Sequence, residues 1–133
     1  MSELTHIRPD GLANNPAYTQ VVAARGSTTV YISGQVSLDA DGNTVGAGDL
    51  GAQTAQVMAN LKVALGAAGA TFDDVTKITT YVVNYQPADR AVIAAARTPY
   101  FTAGSPPAST LVGVAALAAP DWLIEIEAIA VIG

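Results

Sequence analysis

Two runs near the end of the chain decide the fold: Pro106-Pro107-Ala108-Ser109-Thr110-Leu111-Val112-Gly113-Val114 and Leu123-Ile124-Glu125-Ile126-Glu127-Ala128-Ile129-Ala130-Val131, separated by a turn at Ala119-Pro120-Asp121. The second run alternates with a period of two. Trp122, Ile124, Ile126, Ala128, Ala130 and Ile132 fall on one side; Leu123, Glu125, Glu127, Ile129 and Val131 fall on the other. Successive side chains of a strand point to opposite faces, so this run is a strand with one fully apolar face. The same alternation sets two carboxylates on one face between apolar flanks. Like charges that close repel, and burial would raise at least one pKa. The spacing by itself also fits a solvated strand face.

Working back from this strand pair, Val75 to Asn84 reads as a strand, with Ile78, Thr80 and Val82 on one face. Asp49 is positioned to cap a helix that carries Leu50, Val57, Met58, Leu61, Leu65 and Ala68 on one stripe and ends at Gly69. Gln53, Gln56, Asn60 and Lys62 are expected off that stripe. Pro87-Ala88-Asp89 opens a second helix, with Asp89 as its cap, with Val92, Ile93 and Ala96 on the inner face, and with Pro99 shortening it. Thr19 to Arg25 and Thr28 to Ser33 read as strands, with Val36 to Leu38 continuing extended into a turn at Asp39–Asn43. Residues 1–16 read as a loop or short edge piece. The order β-β-β-α-β-α-β-β gives an α+β layer: one domain over residues 1–133, with helices on one face of a mixed sheet.

Composition narrows the partners. Half of the residues are apolar and only 13% are charged, which predicts association into an oligomer. The formal net charge is −5, and the six Lys and Arg are scattered, which argues against nonspecific nucleic-acid binding. There is no cysteine, so thiolate catalysis and Cys-ligated metal are excluded. No membrane span and no signal peptide are visible, and a cytoplasmic setting is expected.

The segment from Pro107 to Val114 followed by IEIEAIAV resembles the C-terminal signature of the RidA/YjgF family, the enamine/imine deaminases also labelled endoribonuclease L-PSP. Tyr31-Ile32-Ser33-Gly34-Gln35, the Asp41-Gly42 turn, Ala67-Ala68-Gly69-Ala70, Asp74-Val75-Thr76-Lys77 and the overall length agree with it. The resemblance implies a chorismate-mutase-like fold, a homotrimer with ligand clefts between subunits, and no cofactor. It further implies a cleft bordered by Tyr18, Gly34, Ser109, Thr110 and Leu111, with Glu125 placing or activating a water, and Glu127 in a structural or interface role. The deaminating members carry an Arg after Pro-Ala that grips the substrate carboxylate. This chain has Ser109 there. The change implies an altered substrate and weak activity on aminoacrylate-type imines unless another cation substitutes. Arg25 and Arg97 are the first candidates, against the plainer roles of surface charge or salt bridge.

Other constellations are thin. His6 is the lone histidine and has no partner at ligand spacing, so no metal site is expected. Ser33, Ser109 and Thr110 lack a neighbouring His base. Gly46-Ala47-Gly48 lacks the Lys-Ser/Thr of a phosphate loop. The function expected is a RidA-like hydrolase of a small imine or enamine with an unknown substrate. The alternative is a noncatalytic small-ligand-binding or regulatory trimer, and an endoribonuclease fits the acidic balance least.

Overall fold

A computed structural model describes all residues, Met1–Gly133. Its centre is β6 (Ile124–Ile132), which pairs antiparallel with β3 (Thr28–Gln35) on one side and with β4 (Val75–Val83) on the other. β5 (Ala108–Val114) lies parallel to β4 at the edge, giving the order β3-β6-β4-β5. Parallel neighbours need a crossover, and α2 (Asp89–Arg97) supplies it. α1 (Leu50–Ala67) connects β3 to β4, and both helices cover the same face. β1 (Glu3–Ile7) and β2 (Val21–Arg25) form a separate antiparallel pair. The layers are those expected of the α+β reading. No helix is long and apolar enough to cross a membrane.

The core follows from the alternation. Ile124, Ile126, Ala128 and Ala130 are buried, and so are Ile78 and Val82 beside them on β4. Val57, Met58, Leu61 and Leu65 of α1 and Ile93 of α2 close the layer from above. Glu125, Glu127, Ile129 and Val131 on the reverse face are only half-buried. The helix ends follow local chemistry. The Asp49 carboxylate accepts from the Ala52 N–H at 3.0 Å. At the other end Gly69 has φ +78°, and the Ala70 N–H returns to the Leu65 carbonyl at 2.9 Å.

Of the two readings of residues 1–16, the short edge piece holds: Glu3–Ile7 is a strand paired with β2, with Leu4 and His6 on its less exposed side. Three local expectations are corrected. Val36 to Leu38 is not a strand; only a bridge from Leu38 to Thr44 closes the turn. Asp89 is the first residue of α2, where its carboxylate accepts the Gln86 N–H at 2.9 Å, and Ala88 occupies the cap. Gln53 lies on the buried face of α1 with no exposed surface. Its amide donates to the carbonyls of Gly46 (3.2 Å) and Asp121 (2.8 Å) and accepts from the Leu123 N–H (2.9 Å), so one side chain ties the entry of α1 to the entry of β6. A buried polar group is tolerated when its hydrogen bonds are made, and its removal strands the backbone groups it served. Gln53→Ala is therefore expected to lower stability by about 2–4 kcal/mol in urea unfolding, summing stranded partners and lost packing; a loss below about 0.5 kcal/mol, the range of ordinary surface changes, would contradict this role.

Candidate functional site

The loop before β2 is fastened to the segment that enters β5. The buried Thr19 hydroxyl donates to the Pro106 carbonyl, and the Thr19 N–H donates to the Pro107 carbonyl at 3.2 Å. Both prolines are buried, and neither has an N–H to offer, so their carbonyls are the available partners. This latch brings Tyr18 over a cavity of about 380 Å³ between α2 and β5. Ser109 and Leu111 form its strand wall, Ile93 and Arg97 its helix wall, and Phe101 its far end.

Arg97, the last residue of α2, turns its guanidinium toward the sheet. One terminal nitrogen donates to the Thr80 hydroxyl at 3.1 Å and the other to the Ser109 hydroxyl at 3.4 Å. These hydroxyls are neutral. Desolvation pushes the Arg97 pKa down, with no acidic neighbour to offset it. Its starting value is high enough that the group stays protonated and therefore remains a cation. Arg25, the other candidate substitute, is exposed on β2 opposite Glu3 and lies outside this cavity.

A second arrangement occupies the bare face of the sheet. Pairing slips between Ile32 and Gln35, and the Glu125 side chain lies flat against Gly34 at that irregularity. A Cβ on Gly34 would come within 2.7 Å of the Glu125 carboxyl carbon, so the close approach requires glycine. The neighbouring Glu127 acts on Tyr81. Hydrogen bonding to this carboxylate, then desolvation, then the fields of Glu127 and Glu125 raise the phenol's pKa above its ordinary value. Thr110 accepts from the Lys77 ammonium at 2.6 Å.

The residues singled out in the sequence thus fall into two groups. Tyr18, Ser109 and Leu111 line the cavity, whereas Gly34 and Glu125 touch one another across the sheet from it. Register sets this division. Ile78 pairs with Ser109 and Thr80 with Leu111, on the helix side; Tyr81 pairs with Glu125 and Val112, on the bare side. Thr110, between Ser109 and Leu111, takes the bare side as well. Within one chain the sheet separates Glu125 from Ser109. Tyr85, Arg90 and Phe101 also line the cavity and were not singled out from the sequence. The available signal was the spacing of Arg90, Ile93, Ala94 and Arg97, one stripe of a helix.

A two-helix layer on this mixed sheet, with the Pro-Pro-Ala entry to β5 and the Glu-bearing β6, defines a RidA/YjgF-type domain. Residues 10–132 match the family model described as Endoribonuclease L-PSP, and the chain belongs to that family. A crystal structure from Yersinia pestis, a protein of unknown function of the conserved Rid family named YyfB, is 42% identical, covers 97% of this chain and 98% of its own, and has a TM-score of 0.92. RidA from an Antarctic Psychrobacter is 32% identical, with a TM-score of 0.71 over 96% of this chain and 99% of its own. A RutC family protein of Pyrococcus horikoshii is 38% identical over 85% of each chain.

The contact between Tyr81 and Glu127 has a direct readout. Ultraviolet difference titration is expected to find one phenol that ionises above the ordinary range, and Glu127→Gln should bring it back down, because the carboxylate opposes a phenolate. An unchanged titration in that variant would contradict the assignment.

Proposed function

We propose that this protein hydrolyses a small imine or enamine, releasing a carbonyl compound and ammonia without a cofactor. The observation that carries this reading is the Glu125 carboxylate laid against the Gly34 backbone on an open sheet face. A carboxylate there can accept a proton from water as the oxygen attacks the C=N carbon. The proton passes to nitrogen to give a carbinolamine; the carboxylate then carries the hydroxyl proton to the same nitrogen, the C–N bond breaks, and ammonia leaves as the carbonyl forms. An enamine first takes a proton on carbon to become the imine. Family membership supports small-molecule chemistry of this kind, and the acidic charge balance favours it over nuclease action.

The reading includes a homotrimer acting in the cytoplasm. Support comes from the bare face, where Tyr31 is 77% exposed and Ile129 and Val131 are half-covered. Burying that face against other copies would place Glu125 of one subunit by the cavity of the next and complete a cleft that one chain leaves divided. Ser109 in place of an Arg also favours a second reading, a noncatalytic ligand-binding trimer, which uses the cavity alone.

Ammonia release from imines generated in situ, assayed with sedimentation on the same samples, tests the proposal. Turnover by a trimer is expected, with Glu125→Gln reducing kcat by roughly 100-fold or more while leaving the trimer intact. Full activity in that variant overturns the role of Glu125. A monomer overturns the shared cleft, and ligand binding without turnover on any imine selects the noncatalytic reading.

A further inference from the structure

The cavity behind β5 has a composition opposite to that of the whole chain. The protein has eleven Asp and Glu against six Lys and Arg, yet the cavity wall holds two arginines and no acid. Arg90 and Arg97 stand seven residues apart on α2, two turns of one helical face, or about 10 Å. Arg90 is exposed at the cavity wall, while the Arg97 guanidinium lies inside and touches only the hydroxyls of Thr80 and Ser109. A desolvated cation without a counter-charge is costly. Position near the C-terminal end of a helix offsets part of that cost, but a dipole effect needs no turn toward the sheet. Apart from the hydroxyls of Thr98, Thr102 and Ser109, the other lining side chains are apolar or aromatic. Tyr18, Phe101, Leu111 and Ile93 line the same cavity, which suits a ligand that is charged at one end only.

We propose that this cavity binds a small organic carboxylate with an aryl or bulky alkyl body, its carboxylate gripped by Arg97 and its body lying against Tyr18, Phe101 and Leu111. A guanidinium offers parallel N–H donors that match the two oxygens of a carboxylate. Ser109 is small, so it leaves room for the anion beside Arg97 and keeps a hydroxyl within reach of the guanidinium. This deepens the hydrolase reading by naming its substrate class. The imines the cavity favours carry an aryl or bulky alkyl group beside the carboxylate, because Tyr18, Phe101 and Leu111 line the space around the cation. Binding itself does not depend on turnover.

Calorimetric titration of the full chain with hydrocinnamate and its neutral amide tests the proposal. The carboxylate is expected to bind about tenfold or more tightly than the amide. Arg97→Gln should abolish that preference, and Arg97→Lys should restore only part of it, since a point charge replaces a fork. Ser109→Asp gives an independent arm should Arg97→Gln fail to fold. An internal carboxylate facing Arg97 should raise the melting temperature and exclude hydrocinnamate. Equal binding of acid and amide, undiminished binding in Arg97→Gln or Ser109→Asp, or no binding at millimolar concentration overturns the proposal. Calorimetry reads hydrocinnamate binding without any turnover, so a failed hydrolase reading and a failed anion site give different results.

Discussion

The alternation of β6 in the middle of the sheet constrains everything else. With β3 and β4 hydrogen-bonded on either side, the strand cannot slip by one residue without turning Ile124, Ile126, Ala128 and Ala130 away from the helices and Glu125 and Glu127 into them. Burying two carboxylates in that layer would cost far more than the few kcal/mol that separate a folded chain from an unfolded one. The register is therefore fixed by charge as much as by apolar burial. It passes through β4 to β5 and decides that Ser109 faces α2 while Glu125 faces outward.

That division gives the two faces different chemistry. The helix side is largely apolar, with a cavity holding an unpaired guanidinium among neutral hydroxyls. The bare side carries carboxylates, a phenol whose ionisation one of them opposes, and a glycine that lets Glu125 lie against backbone. A cation and a carboxylate kept apart by a sheet cannot neutralise each other in an ion pair. In the proposed trimer they meet only across a subunit boundary, with substrate between them.

Much of this was legible in the sequence, for physical reasons. The ends of α1 are written in single residues, Asp49 and Gly69, whose chemistry acts within one turn. The two faces of β6 follow from its own spacing. What was not legible depends on distant partners. Gln53 is buried because Gly46, Asp121 and Leu123 converge on its amide, and no local pattern announces that. β1 is short and polar, and it exists because β2 pairs with it. The resemblance implies that Ser109, Thr110 and Glu125 border one cleft between subunits; within a chain their faces are set by register across three strands. Arg97 was identifiable as a spare cation, but its direction depends on the packing of α2 over Thr80 and Ser109.

The central claim is that the cavity between α2 and β5 needs a cation inside it, whichever element carries it. The hydrocinnamate affinity of the double variant Arg97→Ser with Ser109→Arg tests this most directly, measured against Arg97→Ser alone. Moving the guanidinium from helix to strand keeps it in the same space, so the account predicts that the double variant recovers carboxylate binding lost in the single one. A double variant that binds no better than Arg97→Ser would contradict it.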